Sequence, residues 1–305
     1  MLKKIFIAGH TGMVGSAILR QINKEKFKIL TATRKKLDLT NKNKVLEWFN
    51  KNRPDIVINA AGKVGGIISN SEDPINYLND NLSISFNIIN AAYKFNSKKL
   101  INIGSSCIYP KYCKQPIKEE YLLTGSLEET NKCYAIAKIS SAVLCSEYKK
   151  KFKKNFITVM PCNLYGPNDN YDNSSSHVLA SLIKKIHLAK LKGRKKIIIF
   201  GDGKPLREFL YVDDLASSII LLIDKKIGNS IINVGSSEEI SIIGLAKLIS
   251  KILNYKVDFL FDKKKPNGTP RKILNSQKIR KLGWKPKYNL KSGIEKSYKH
   301  FKIFN

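Results

Sequence analysis

Two short stretches carry residue types that could perform chemistry on a carbonyl group. Ser105-Ser106-Cys107 brings a hydroxyl and a thiol together, and Tyr134-Ala135-Ile136-Ala137-Lys138 sets a Tyr and a Lys four residues apart. On a helix these two side chains share a face, so the ammonium group favours the phenolate and brings the Tyr toward a useful proton donor near neutral pH. With Ser105 binding the carbonyl oxygen, the set predicts ketone reduction. Reduction alone does not require Cys107, which indicates a second reaction on the same carbonyl compound.

A glycine-rich turn supplies the context for this chemistry. Gly9-His10-Thr11-Gly12-Met13-Val14-Gly15 directly follows the apolar run Ile5 to Ala8 and precedes the helix-like stretch Ser16 to Asn23. Glycines let the backbone approach a pyrophosphate, and a helix N-terminus offers unpaired N–H groups and a positive dipole end. A glycine triplet alone also fits an ordinary tight turn, but its place at the start of a βαβ pattern predicts a dinucleotide site.

Arg34 indicates which dinucleotide binds. It lies 34 − 15 = 19 positions after the last glycine of the turn and follows the strand-like run Phe27 to Ala32. An acidic residue there would bind the ribose diol of NAD, whereas an Arg accepts the 2′-phosphate of NADP. The sequence therefore favours NADPH. Asp38-Leu39 is better placed for the adenine than for the ribose.

The composition limits the class of protein. The 305 residues are enough for a substantial core, and the formal net charge of +31 would ordinarily suggest a nucleic acid or an anionic membrane as partner. However, 48 of the 55 basic residues are Lys, spread over nearly every predicted helix surface. This pattern is typical of a solvated surface, so we expect neither a nucleic acid nor a membrane partner.

The cysteines argue against a disulfide framework and against a metal site. Five cysteines at positions 107, 113, 133, 145 and 162 form an odd set with no C-x-x-C spacing and no paired His ligands. Residues 1 to 8 already read as a core strand, and no apolar stretch approaches the ~20 residues of a membrane span. We expect a cytoplasmic protein without a bound metal.

Short β-rich runs alternate with helical stretches along the first half of the chain, which predicts an α/β fold with a doubly wound parallel Rossmann sheet. Ser105, Cys107 and Asn163 follow strand ends, where open α/β sheets place ligands. The runs are Ile56 to Ala60, Leu100 to Ile103 and Phe156 to Met160, with helices near 41–52, 73–95 and 131–153.

The alternation becomes irregular after residue 161, which indicates a smaller C-terminal α/β substrate domain. This part has a loop at 168–176, a helix near 177–192 and a Gly-Pro-rich stretch at 201–205. We expect the NADP-binding Rossmann domain over 1–161, with interleaved elements near 206–235. The substrate domain is then formed by 162–205 and 236–305.

Taken together, the motifs resemble the GDP-L-fucose synthase family of extended short-chain dehydrogenases/reductases over essentially the whole chain. The combination is far more specific than any single piece. The matching stretches are Gly9 to Gly15, Ala60 to Ile67, Gly104 to Pro110, Tyr134 to Lys138, Met160 to Pro167, Ser176 to Val178, Arg207 to Asp214 and Gly268 to Lys272.

The resemblance implies a 3,5-epimerase and 4-reductase that converts GDP-4-keto-6-deoxy-D-mannose to GDP-L-fucose. It assigns Ser105, Tyr134 and Lys138 to the reductase triad, and Cys107 and His177 to the base and acid of epimerisation. Removing a proton at C3 or C5 makes an enolate whose charge falls on the C4 oxygen, which Ser105 and Tyr134 can stabilise. Inversion needs groups on both faces of the sugar, and Cys107 and His177 supply them.

The resemblance also implies the remaining binding residues. For the cofactor these are Ala60, Ala61, Lys138, Pro161, Asn163, Leu164 and His177, besides the glycine turn, Arg34, Asp38 and Leu39. For the substrate they are Ser105, Ser106, Asn163, Lys185, Phe200, Arg207 and Asn267.

Three of these substrate positions depart from the family pattern, in which Arg, Trp and Asp often stand at Lys185, Phe200 and Asn267. The first two changes are mild, because Lys still neutralises a phosphate and Phe still stacks. The third is larger, because an amide cannot carry the charge of a carboxylate.

Two other functions are compatible with the sequence. One is the processing of a related GDP-4-keto sugar, such as a heptose, by the same residues, or a reductase that has lost epimerisation, against which the presence of both Cys107 and His177 argues. The other is a non-catalytic basic Rossmann protein that binds nucleic acid, against which the intact Tyr134 and Lys138 argue. By analogy with the family, the helices near 73–95 and 131–153 would pair across a homodimer interface.

Overall fold

The computed structural model describes residues 2–172 and 175–304; Asn173 and Ser174, within the predicted 168–176 loop, lie outside the described residues. Its strands are β1 (Lys3–Ala8), β2 (Phe27–Leu30), β3 (Ile56–Asn59), β4 (Lys99–Ile103), β5 (Asn155–Pro161), β6 (Asn163–Tyr165), β7 (Lys196–Phe200), β8 (Leu206–Tyr211), β9 (Ile231–Val234), β10 (Glu239–Ser241), β11 (Asp258–Asp262) and β12 (Arg271–Lys272).

The described helices follow the strands in the alternation that the sequence predicts. They are α1 (Met13–Gln21), α2 (Lys42–Asn52), α3 (Ile67–Glu72), α4 (Pro74–Lys94), α5 (Lys132–Phe152), α6 (Val178–Leu191), α7 (Val212–Ile223), α8 (Ile242–Ile252), α9 (Gln277–Lys281) and α10 (Leu290–Phe304). The sequence analysis predicted α1, α2, α4, α5 and α6, but it placed no helix at α3 or at α7 to α10. Helix α3 has six residues, which are too few for a helical period to show.

The main sheet has six parallel strands in the order β2-β1-β3-β4-β5-β9. Alternate residues of β1 enter different cores: Ile5 and Ile7 pack with α1 and α7, whereas Phe6 and Ala8 pack with α2, α4 and α5. Both faces are therefore buried, as is required of a parallel sheet. The predicted doubly wound α/β fold is confirmed.

The other described strands form two smaller sheets beside the main one. Strand β8 pairs with β6, β10 and β12, while β7 pairs with β11. Within the segment 206–235, β9 joins the main sheet and α7 packs against α1, but β8 belongs to the four-stranded sheet. The division into two domains stays a prediction.

Glu208 on β8 connects distant parts of the chain. Its carboxylate is fully buried and accepts hydrogen bonds from the Ser237 N–H at 2.6 Å and the Leu274 N–H at 2.9 Å. A Cβ atom at Gly235 would lie 2.3 Å from the Glu208 Oε1 atom, so any other residue in this loop after β9 would have to displace the carboxylate. Burial raises the pKa of Glu208 to about 7.

Asp214 in the first turn of α7 fixes the segment that leads into α10. Its buried carboxylate accepts hydrogen bonds from the Lys287 N–H at 2.8 Å and the Tyr288 N–H at 3.1 Å. The indole of Trp284 donates to the Asp214 carbonyl oxygen at 3.2 Å. None of the described helices is long and apolar enough to cross a membrane.

We expect Asp214→Asn to lower the free energy of unfolding by about 1 to 3 kcal/mol, because an amide has one acceptor oxygen and leaves one of the two N–H groups unpaired. Asp213→Asn is the matched control: Asp213 pairs at 2.5 Å with the exposed Arg20, a contact worth at most about 1 kcal/mol. Urea unfolding of both variants measures the difference. Equal losses would contradict the role of the buried carboxylate.

Candidate active site

The glycine turn brings the backbone at the end of β1 against the backbone that follows β3. Gly9 has φ +76°, and a Cβ atom there would lie 2.7 Å from the carbonyl carbon and oxygen of Ala60. A Cβ atom at Gly15 would lie 2.2 Å from the Gly9 carbonyl oxygen. Gly12 is the N-cap of α1 and supplies no side chain to its N–H groups. The turn is therefore a cradle, open to an anion, that fits a pyrophosphate.

The predicted adenosine residues lie where the chain leaves β2. Arg34 is exposed in a turn after that strand, and Asp38 and Leu39 follow it. Hydrogen bonds from Thr40 lower the pKa of Asp38, with a smaller contribution from the charge of Arg34. Ala60 and Ala61, after β3, form the opposite wall at Gly9. These residues fit a dinucleotide that carries a 2′-phosphate.

Ser105 lies directly after β4 and begins a short 3-10 helix, Ser106–Ile108. Its Oγ atom accepts a hydrogen bond from the Cys107 N–H at 3.2 Å, and Ser105 lies close enough to Tyr134 on α5 to oppose the effect of burial on the pKa of that Tyr. Helix α5 thus places Tyr134 at the end of β4. The structure brings the predicted Ser and Tyr together at the carboxyl edge of the sheet.

Lys138 lies one turn after Tyr134 on the same face of α5, as predicted, but its ammonium group has another partner. It donates to the Ile103 carbonyl oxygen at 3.0 Å and lies 5.8 Å from the centroid of the Tyr134 ring. Burial raises the pKa of Tyr134 above its ordinary value and lowers that of Lys138 to about 8. The predicted lowering of the Tyr134 pKa by Lys138 is not found in this structure, because burial has the largest effect on that pKa and raises it.

Cys107 receives two donors that the sequence did not reveal. The amide Nδ2 of Asn131 and the ammonium Nζ of Lys272 each lie 3.6 Å from its Sγ atom. Asn131 precedes α5, and Lys272 lies on β12, 272 − 107 = 165 positions further along the chain. The family resemblance singled out the stretch Gly268 to Lys272, but no spacing rule could have joined it to the thiol.

His177 is the N-cap residue of α6 and does not cap it with its side chain. Burial first, and then the charge of Lys272, lower its pKa and favour the neutral imidazole. Since Lys272 acts on His177 and contacts Cys107, it links the predicted acid and base. Gly66 packs against the segment that precedes His177. The Gly66 N–H donates to the Ser175 carbonyl oxygen at 2.9 Å, and a Cβ atom at Gly66 would lie 2.6 Å from the Ser176 carbonyl oxygen.

The predicted nucleotide-sugar residues form a continuous path from Cys107. Arg207 lies near Cys107, and its guanidinium donates to the Asn267 carbonyl oxygen at 3.3 Å. The Asn267 side chain accepts from the Asp202 N–H at 2.9 Å, which closes the turn after Phe200. Lys185 lies 4.4 Å from the centroid of the Phe200 ring. This path offers cations for a diphosphate and one exposed ring for a base.

The remaining predicted residues lie at the junction of the two larger sheets. Pro161 ends β5, and Asn163 and Leu164 lie on β6. The Asn163 side chain donates to the Glu208 carbonyl oxygen at 2.8 Å, so its amide group holds β6 against β8. Ser106 is buried beside Cys107. Among the described residues, no group of three or more His, Cys, Asp or Glu side chains could hold a metal ion.

Residues 5–235 match the model of the NAD dependent epimerase/dehydratase family. A GDP-L-fucose synthase of Sinorhizobium fredii (strain NBRC 101917 / NGR234) is 47% identical over 299 residues, which are 98% of this chain and 95% of the relative. Among solved structures, a GDP-6-OMe-4-keto-L-xylo-heptose reductase from C. jejuni has a TM-score of 0.93 at 33% identity, covering 100% of this chain and 99% of that one.

A second similar structure is a GDP-L-fucose synthetase from Naegleria fowleri bound to NADP. It has a TM-score of 0.89 at 32% identity and covers 99% of this chain and 93% of that one. Fold, motifs and relatives agree: the chain belongs to the NAD dependent epimerase/dehydratase family, in the group that contains the GDP-L-fucose synthases.

Proposed function

We propose that this chain is an NADPH-dependent 3,5-epimerase and 4-reductase that converts GDP-4-keto-6-deoxy-D-mannose to GDP-L-fucose. The observation that carries the proposal is the convergence of Ser105, Tyr134 and Cys107 at the end of one strand. Reduction alone needs only the first two. The 47% identity to a GDP-L-fucose synthase supports the same reaction.

The choice of cofactor rests on the glycine cradle and on Arg34. Gly9 and Gly15 leave room for a pyrophosphate at the N-terminus of α1, and Arg34 is exposed after β2, where a 2′-phosphate is read. The Naegleria fowleri relative was solved with NADP bound. Bound NADPH would supply the hydride for C4 of the sugar.

Cys107 is the proposed base that removes the protons next to the C4 ketone. Each removal places negative charge on the C4 oxygen, and the hydroxyls of Ser105 and Tyr134 stabilise that charge by hydrogen bonds. Because Tyr134 is buried, these hydrogen bonds act in a medium where they are strong. A ketone that binds Ser105 and Tyr134 is thus activated both for proton exchange at the neighbouring carbons and for reduction at C4.

His177 is the proposed acid on the opposite face of the sugar. A base that returns its proton to the same face restores the original configuration, so inversion needs a second donor. As an acid, His177 would donate from the imidazolium form and become the neutral imidazole that its lowered pKa favours, and Gly66 holds the segment that carries it. During reduction, Tyr134 gives its phenolic proton to the C4 oxygen.

The nucleotide contacts are proposed from the path that runs from Cys107 to Phe200. Arg207 and Lys185 would contact the diphosphate, and Phe200 would stack on the guanine or the ribose. Asn267 closes the turn after Phe200 through its oxygen, an atom that a carboxylate also has. The change from Asp therefore removes a charge but keeps this turn.

A second candidate is the reduction of a related GDP-4-keto-heptose. The similarity to the C. jejuni heptose reductase, with a TM-score of 0.93, favours it. Both candidates use the same catalytic residues and differ only in the sugar, so the product identifies the substrate. A nucleic-acid-binding role has no comparable support, because the basic residues are spread over the surface.

We also propose that the protein is a homodimer and acts in the cytoplasm. Helices α4 and α5 expose Ile75, Phe86, Ile136 and Val143, which a second copy would cover. The five cysteines are free thiols, as expected in a reducing compartment.

We expect Arg34→Ala to raise the KM for NADPH tenfold or more, because one charge-assisted hydrogen bond is worth ~1.5 to 3 kcal/mol. The KM for NADH should stay nearly unchanged. Lys35→Ala removes an equal charge at the next exposed position and serves as the control. Equal losses with both cofactors would show that Arg34 does not read the 2′-phosphate.

Tyr134→Phe should lower turnover by ~10² to 10⁴-fold, the range for losing a positioned general acid. NADPH binding, followed by fluorescence titration, should persist. Tyr77→Phe is a matched control, since Tyr77 is a buried Tyr whose ring lies 6.4 Å from that of Tyr134. Loss of cofactor binding in a folded Tyr134→Phe protein would make Tyr134 a structural residue.

Cys107→Ser should separate the two activities, because a serine hydroxyl is a far poorer base than a thiol. In D₂O without NADPH, the wild type should exchange deuterium into C3 and C5 of the keto sugar, and the variant should not. With NADPH, NMR should identify GDP-L-fucose from the wild type and a sugar reduced at C4 without inversion from the variant.

Cys113→Ser, which changes another partly buried thiol, is the control for this experiment. His177→Ala should block inversion while exchange at one or both carbons survives. Formation of GDP-L-fucose at the wild-type rate by Cys107→Ser would overturn the assignment of the base.

A further inference from the structure

We propose that Lys272 is a positioning residue whose ammonium group keeps Cys107 as a thiolate before any ligand binds. The inference deepens the proposed function, on which the role of Cys107 as a base rests. It concerns a contact across two sheets: Lys272 lies on β12 in the four-stranded sheet, and Cys107 follows β4 in the main sheet.

The geometry around the sulfur is that of an anion site. Lys272 Nζ and Asn131 Nδ2 both lie 3.6 Å from Sγ and both are donors only. A neutral thiol is a weak acceptor, so two donors directed at one sulfur match a thiolate better than a thiol. A positive charge at this distance favours the charged form of its neighbour.

The charge of Lys272 is not neutralised by another group. Within residues 2–172 and 175–304, no carboxylate lies within ion-pair distance of its Nζ atom. Glu128 lines the same narrow pocket as Cys107 and Lys272, but its carboxylate accepts from the Thr130 N–H and pairs with Lys111 at 3.7 Å. The ammonium group is therefore available to the sulfur.

The other titratable groups around Cys107 come from several elements and do not replace Lys272. Arg207 is also cationic, but its guanidinium donates to the Leu206 and Asn267 carbonyl oxygens. Tyr134 is neutral, because burial raises its pKa. The groups that face the thiol or its ammonium partner are Lys272, Arg207, Tyr134, Glu128 and His177.

Backbone pairing fixes Lys272 in this place. Strand β12 runs parallel to β8, with Lys272 opposite Arg207 and Arg271 opposite Leu206. Two residues after Lys272, the Leu274 N–H is bound by the buried Glu208 carboxylate. Arg271 is held by a two-pronged contact with Glu239, with both N···O distances 2.8 Å. The contacts of Arg271 and Leu274 therefore hold the strand on both sides of Lys272 and fix the position of its ammonium group.

The test is the pH dependence of alkylation of Cys107 by iodoacetamide, in which sulfur displaces iodide, with no cofactor or sugar present. Peptide mass spectrometry separates the five cysteines. We expect the pH of half-maximal rate to rise by at least about one unit in Lys272→Met, and the rate at pH 7 to fall about tenfold. Lys272→Arg keeps the charge and should remain close to the wild type.

Two controls keep the result interpretable. Lys263→Met removes the same charge at an exposed position and should leave the profile unchanged. Cys145 is fully buried, so its slow labelling in each variant shows that the fold is intact. If Lys272→Met unfolds, Lys272→Gln repeats the measurement with a polar side chain.

An unchanged profile in folded Lys272→Met or Lys272→Gln would overturn the proposal, as would a Lys272→Arg profile that matches Met. The proposed function has a separate test, because alkylation needs neither NADPH nor keto sugar. Absence of deuterium exchange by the wild type would contradict the proposed function and leave the alkylation result standing.

Discussion

The close approach of two backbones, at the ends of β1 and β3, is the constraint on which the rest of the site depends. Gly9 contacts the peptide of Ala60 with no room for a side chain, and the next residues lead to Gly62, where a Cβ atom would lie 3.4 Å from the Lys138 ammonium group. The same packing that opens the cofactor cradle therefore sets the distance from the cradle to the catalytic helix α5. The direction in which successive strands are added to the sheet reverses between β1 and β3. Open α/β folds bind ligands at such a point.

Local patterns in the sequence were sufficient to predict every strand of the main sheet except β9, and most of the helices that pack on it. The apolar runs ending at Ala8, Asn59 and Ile103 are buried on both faces, so their hydrophobicity is continuous and easily recognised. The placement of Ser105 and Cys107 followed from the same rule, because the ends of parallel strands meet at one edge. The family resemblance added His177 and the nucleotide-binding residues.

Contacts between segments that are distant in the sequence could not be predicted from local patterns. Asn131 and Lys272 meet Cys107 only because β12 pairs with β8 and α5 packs beside β4. The pKa of Tyr134 was wrongly predicted for a similar reason: spacing on a helix shows which residues are neighbours, but not how deeply both are buried. Charge and burial depend on tertiary packing, which periodicity does not encode.

The buried carboxylate of Glu208 has a consequence for how this enzyme family can be recombined. One side chain binds the loop after β9 of the main sheet and the segment after β12 of the four-stranded sheet. Gly235 packs directly against this carboxylate, without room for a Cβ atom. The two sheets are thus not independent modules. A chimaera that takes its cofactor half from one relative and its sugar half from another inherits a working thiol environment only if Glu208, Gly235 and the Leu274 backbone come from compatible parents.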